Sequence, residues 1–157
     1  MHKSQRDTPA YSIGTVARLL GVSVEVLRLY ERRGLILSSR SDGKQRLYSE
    51  SDVERLRCIR AAINDHKISI EGIRRIHAMI PCWEHVCCSV EERDACPAYH
   101  LFQAGCWTYK HQGNLCAQRD CRSCKVYQLS SDCEKVKGLI QHRVESGFLP
   151  VQNDQEG

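Results

Sequence analysis

Apolar positions in the first eighty residues recur at helical spacing, in segments broken by glycine and polar turns. In "YSIGTVARLLGVSVEVLRLYERRGLI", Val16, Leu19 and Leu20 share one helical face, and Val26, Leu27 and Tyr30 repeat that spacing beyond a break at Gly21-Val22. The pattern predicts two short helices joined by a tight turn, with Ser23 capping the second and Gly34 ending it. "ILSSRSDGKQRLYS" then predicts two short strands, Ile36-Leu37 and Leu47-Tyr48, around a loop that holds Arg40, Gly43, Lys44 and Arg46. Ser49 or Ser51 caps a further helix with Val53, Leu56, the stem of Arg60 and Ile63 inward, and Ser69 caps one over "ISIEGIRRIHAMI". After Pro81 the pattern lapses until "SDCEKVKGLIQHRVES", where Val136, Leu139, Ile140 and Val144 line one face of about four turns.

Charge divides the chain as sharply as periodicity does. Residues 1–80 carry 15 Lys/Arg against 9 Asp/Glu, a net of +6, and residues 81–157 carry 8 against 10, a net of −2, so a polyanion should meet the first half. Apolar residues make up 41% of the 157, enough for a modest core or two small ones. No run of about 18 apolar residues occurs, and no signal-like segment opens the chain, which reads as soluble, cytoplasmic and not membrane-bound.

Two helices joined by a glycine turn resemble a helix-turn-helix, in which the start of the second helix enters the major groove. With the basic hairpin as a wing, "YERRGLI" and "RLYSESDV" in this order, residues 11–80 resemble the DNA-binding domain of MerR-family transcriptional regulators. That resemblance implies that Ser23, Val24 and Glu25 open the recognition helix towards base edges. Arg28 and Tyr30 would contact backbone phosphates, Arg40, Lys44, Arg46 and Tyr48 would grip the flanking backbone from the wing, and Arg18 would add a phosphate contact. Leu29 departs from the family, which often has an aromatic there. Tyr30 and Tyr48 can equally be core aromatics, and Arg32, Arg33, Arg55 and Arg57 can be a solvated face. The family also implies a homodimer on double-stranded promoter DNA, acting on RNA polymerase indirectly by distorting the promoter. Its long dimer helix is interrupted here at Pro81-Cys82.

Nine of the ten cysteines fall between Cys82 and Cys133; the tenth, Cys58, lies off the apolar stripe of its helix and reads as structural or incidental. In a cytosolic chain such density favours metal over a disulfide framework. The block is internally doubled. Cys82-Trp83 leads through Cys87 to Cys96-Pro97-Ala98-Tyr99, and Cys106-Trp107 leads through Cys116 and Cys121 to Cys124-Lys125-Val126-Tyr127. Paired Cys-Trp blocks in bacterial signalling proteins are similar, with no chemistry attached to the likeness.

Converging thiolates repel one another unless a cation neutralises them. The candidate ligands are Cys82, Cys96, Cys106 and Cys124, which hold equivalent places in both halves, followed by Cys87, Cys116 and Cys121. Cys88 and Cys133 have no repeat partner, and His85, His100 and His111 keep no repeat register. An iron-sulfur cluster tolerates the wide spacing, with the Trp and Tyr side chains as a tuning shell or a small core. Structural zinc and a thiol-disulfide switch stay open as alternatives. Some MerR-type regulators sense oxidants or metal ions through cysteines, but their compact ligand spacing is absent and no ligand assignment transfers. An enzyme, with Cys121-Arg122-Ser123-Cys124 as a redox motif, lacks the strand-helix context of that chemistry, so the chain reads as a regulator and not an enzyme.

The expected fold is mainly α. Flexible residues 1–10 precede a winged helix-turn-helix DNA-binding domain at 11–80, a small cysteine-rich metal-binding domain at 81–134, and a short C-terminal helix and tail at 135–157.

Overall fold

The structure, a computed structural model, describes residues 4–131 and 133–145. It is mainly helical. Helices α1 (Ile13–Leu20) and α2 (Val24–Arg32) are capped by Ser12 and Ser23, whose hydroxyls accept from the Thr15 and Val26 N–H groups at 3.3 Å. Gly21, at φ +62°, makes the turn between them. Gly34, at φ +70°, ends the α2 region, and the Leu35 N–H returns to the Tyr30 carbonyl at 3.0 Å. A side chain at Gly34 is excluded twice, since a Cβ there would lie 2.4 Å from Thr108 Cγ2.

The wing differs from expectation at one strand. The sheet has order β1–β3–β2, with β1 (Tyr11–Ser12), β2 (Ser39–Arg40) and β3 (Arg46–Tyr48), all antiparallel; Tyr11 faces Tyr48 and Arg40 faces Arg46. The first wing strand is Ser39–Arg40 rather than Ile36-Leu37: Leu35 and Ile36 run through the core at 0% and 1% exposure, and the chain comes alongside β3 only at Ser39, opposite Leu47. Lys44, at φ +60°, closes the hairpin.

Helix α3 (Glu50–Asn64) opens on a capping box. The Ser49 hydroxyl accepts from the Asp52 N–H at 3.1 Å and the Ser49 N–H donates to Asp52 Oδ2 at 2.8 Å, so Ser49 is the cap and Ser51 turns instead to Asp7. Helix α4 (Ile70–Ala78) is capped by Ser69 as predicted. Together these elements close a core of Val16, Leu27, Tyr30, Leu35, Ile36, Tyr48, Val53, Leu56, Ile59 and Ile73. Leu19, placed on the inner face by periodicity, is 52% exposed, because α1 turns Val16, Ala17 and parts of Ile13 and Leu20 to that core and leaves Leu19 outside the contact.

Beyond Pro81 the chain forms short pieces: α5 (Cys82–Val86), α6 (Val90–Asp94), α7 (Pro97–His100), 3-10 turns at Cys106–Thr108, Leu115–Gln118 and Cys121–Ser123, then α8 (Lys125–Leu129) and α9 (Cys133–Glu145). A second core of Ile80, Val86, Trp107, Val126, Tyr127 and Val136 packs with Leu37 and Ile76 of the first half. The two halves therefore share apolar surface. Ile140 joins this core as the α9 pattern predicts, whereas the side chains of Cys133, Leu139 and Val144 and the tail from 146 lie outside the described residues.

Arg55 is no part of a solvated face. It is 2% exposed, inside the seam between the two cores. His77 shares the seam at 7% exposure, edge-on to Trp107 with ring centroids 5.0 Å apart. Burial, and then the Arg55 cation, push the His77 pKa down to about 3. A histidine whose folded pKa lies below its unfolded value near 6.5 gives stability that is complete above about pH 6.5 and is lost as pH falls towards 3. From pH 6.5 to pH 5.5 the chain should lose about 1 kcal/mol in urea unfolding. His77→Gln should flatten that slope; an unchanged slope would show that other groups carry it.

Candidate nucleic-acid interface and thiol cluster

Ser23, Val24 and Glu25 form the first turn of α2, with Ser23 and Glu25 exposed and Val24 half-buried. Arg28 lies one turn on and pairs with Glu25 at 2.6 Å. Arg18 is exposed on α1, 3.4 Å from Thr15 Oγ1, and Lys44 is exposed at the wing tip, where its carbonyl accepts from Arg40. Glu31, which periodicity did not single out, organises the wing: it pairs with Arg46, lies 3.6 Å from Arg40 and accepts from the Ser38 hydroxyl at 2.7 Å. One carboxylate on α2 thus fixes two wing cations relative to that helix. Tyr30 and Tyr48 take the core alternative, at 3% and 0% exposure, so neither is a surface group for phosphate. Burial pushes the Tyr48 hydroxyl up to about 12, and it has no hydrogen-bond partner among the described residues.

The doubled Cys-Trp to Cys-x-x-Tyr unit is visible in the packing. Trp83 meets Tyr99 edge to face at 4.8 Å, and Trp107 meets Tyr127 edge to face at 5.2 Å, so each copy builds the same aromatic pair. Cys82, Cys88, Cys106, Cys116, Cys121 and Cys124 pack against the second core. Cys106, Cys116, Cys121 and Cys124 also line one narrow cleft with Val86, Trp107, His111 and Tyr127.

The thiols sense one another. Cys106 is hydrogen-bonded to Cys82, which lowers the Cys82 pKa; the same bond, burial and the charges of Cys82, Cys124 and Cys116 hold Cys106 well above the ordinary thiol range. Cys116 is pushed up to about 12 by burial, then by Cys88, Cys82, Cys124 and Cys96. Burial first, then Cys124, also raises Cys121. Such a group carries several thiolates only with a cation among them. Cys96 is not among the thiols packed on the second core, but its sulfur lies 3.7 Å from Nδ1 of the cleft-lining His111, and Cys87 is exposed. Among the described residues no three Cys, His, Asp or Glu side chains converge closely enough for a single ion.

The residues beside these cysteines reach the first half at the joint between α2 and the wing and at the first turn of α3. Trp107, next to Cys106, donates its indole N–H to the Gly34 carbonyl at 2.8 Å. The Tyr127 hydroxyl accepts from the Leu37 N–H at 2.8 Å. Arg122, between Cys121 and Cys124, donates to the Leu37 carbonyl and pairs with Asp52 at 2.7 Å. Arg55 of α3 completes the seam: it donates to the Leu35 carbonyl at 2.8 Å, the Tyr127 carbonyl at 2.7 Å and the Ser130 hydroxyl at 3.0 Å. Its guanidinium carbon sits 4.0 Å from the Tyr127 ring centroid and 5.2 Å from that of Trp107. Arg122 and Gly34 carry no sequence signal for this role; only the tertiary fold brings them together.

Residues 11–79 match the family model described as the MerR HTH family regulatory protein. The N-terminal domain is of the MerR type. Over 70 residues the chain is 41% identical to HspR of Streptomyces coelicolor, covering 45% of this chain and 46% of HspR. It is 32% identical over 79 residues to the HTH-type transcriptional regulator GlnR of Bacillus anthracis, covering 50% and 60% respectively. Against the mercuric resistance operon regulatory protein of Pseudomonas fluorescens it is 42% identical over 52 residues, 32% of this chain and 36% of that one. The chain thus spans roughly half the length of the curated relatives it matches, and the likeness lies in the MerR-type domain. No described helix is long and apolar enough to cross a membrane.

Proposed function

We propose that the chain is a cytoplasmic transcriptional regulator that binds promoter DNA as a homodimer through its MerR-type domain. Its cysteine-rich half holds a metal centre, an iron-sulfur cluster, whose redox state or occupancy alters how the DNA is held and so acts on RNA polymerase indirectly. The observation that carries this reading is the joint at residues 34–37, whose backbone is held by Trp107, Arg122 and Tyr127. These side chains flank Cys106, Cys121 and Cys124, so a change at the thiols is felt where the recognition helix meets the wing.

The donor set suits a cluster. Cys106, Cys116, Cys121 and Cys124 are partly buried and line one hollow, and an iron-sulfur cluster accepts ligands as widely spaced along the chain as these. A bound cluster would supply one-electron redox chemistry; the chain supplies the thiols, the aromatic shell and the contacts to residues 34–37. Equal affinity of both cofactor states for one packing would shift nothing, so the seam must differ between them.

The test is anaerobic purification with iron, sulfide and zinc analysis, followed by fluorescence anisotropy on the chain's own promoter region before and after oxidation. Iron with matching sulfide and a state-dependent affinity or DNA distortion are expected. Colourless protein with stoichiometric zinc and no response to oxidation would leave a structural zinc domain on a constitutive DNA-binding module.

For the interface, Arg46→Ala should weaken binding to specific and non-specific DNA alike, and lower the slope of log affinity against log salt by about 1. Unchanged affinity and slope would remove Arg46 from the interface.

A further inference from the structure

Two adjacent cysteines at the end of α5 occupy opposite environments. Cys87 sits at φ +61°, and both its N–H and that of Cys88 return to the Trp83 carbonyl, at 3.0 and 3.3 Å. This is the closure of a Schellman turn, in which the residue after the left-handed one packs back on the helix it ends. That residue is Cys88. It is half-buried against the second core, while Cys87 is exposed with its sulfur 3.8 Å from the Glu84 carbonyl. Repeat logic points to Cys87 and leaves Cys88 without a role; the turn reverses the choice.

Cys88 shares the second core with Cys82, Cys106, Cys116, Cys121 and Cys124, which places its thiol on the side where the other packed cysteines lie. Cys116 packs on the same core and lines the cleft, whereas Cys96 is not among the cysteines packed there and meets the cleft only through His111, 3.7 Å from its sulfur. We propose that Cys88, and not Cys87, joins the thiols packed against the second core, Cys82, Cys106, Cys116, Cys121 and Cys124, in holding the metal centre. The assignment rests on reading the cysteine-rich half as a metal centre.

The test uses the full chain purified without oxygen, with iron, sulfide and zinc measured per chain for wild type, Cys87→Ser, Cys88→Ser and Cys116→Ser. Cys87→Ser should keep wild-type metal content, and Cys88→Ser and Cys116→Ser should each lose at least about half of it. In the native wild type, iodoacetamide followed by peptide mass mapping should label Cys87 first and leave Cys88 protected until a chelator removes the metal. Full metal in Cys88→Ser, or loss in Cys87→Ser, overturns the ligand assignment while the metal reading stands. Wild-type protein free of iron and zinc overturns both. Should Cys88→Ser not fold, the alkylation order decides: early labelling of Cys88 in native, metal-loaded protein rejects it as a ligand.

Discussion

Arg55→Ala should be among the most destabilising single substitutions in the chain, at about 3–5 kcal/mol. The guanidinium is 2% exposed, and truncation removes three hydrogen bonds at once, leaving the Leu35 and Tyr127 carbonyls without that donor inside the seam. It also removes the cation lying over Tyr127 and opens a cavity between the two cores. Burial lowers the pKa of Arg55, but an arginine stays charged in a protein, so the wild type holds a cation there only because these acceptors and rings surround it. Arg55→Lys tests the geometry separately from the charge. An ammonium cannot serve the spread of acceptors that a planar fork reaches, and this variant should recover less than half of the loss. Denaturant unfolding followed by tryptophan fluorescence reports on the seam directly, because Trp107 is in it. A loss below about 1 kcal/mol for Arg55→Ala would mean that the two halves are not held together through this residue.

Arg55 marks the limit of what a sequence pattern conveys. Periodicity located α1 to α4, and the serine caps of α2 and α4 with Ser49 or Ser51 for α3, because helical spacing and capping are local properties of a few neighbouring residues; the Ser12 cap of α1 was not singled out. It also placed the apolar face of α9 that packs Val136 and Ile140 on the second core. It misplaced the first wing strand, since the chain comes alongside β3 only at Ser39, and it put Leu19 on the inner face, which α1 leaves outside the contact. A buried arginine is invisible to such reading, since nothing local separates Arg55 from the exposed Arg57 two residues later. The cysteine repeat was legible as a pattern, and each copy does build one Trp–Tyr pair. Which member of Cys87-Cys88 faces inward was not, because that depends on the hand of one turn.

On the function proposed above, Trp107→Phe should disconnect the cysteine-rich half from DNA binding while leaving both halves folded. Phenylalanine keeps an aromatic ring against Tyr127, His77 and Arg55 but cannot donate to Gly34. The stability cost should therefore be modest, about 1–2 kcal/mol. The functional effect should be larger. Coupling between two sites typically amounts to about 1–3 kcal/mol, a ratio of roughly 5- to 150-fold in affinity. Without the indole donor to Gly34, the ratio of DNA affinities between the oxidised and reduced protein should fall to within about threefold, while metal content and the salt slope of the tighter-binding state stay near wild type. Tyr127→Phe should act in the same direction by freeing the Leu37 N–H, since it too loosens the joint without touching a thiol. A merely structural Trp107 would lower stability and leave the affinity ratio intact. An undiminished ratio in both variants would move the proposed signal away from residues 34–37, towards other links between the halves such as the Arg122 bridge to Asp52 at the cap of α3 and the Arg75 bond to the Phe102 carbonyl.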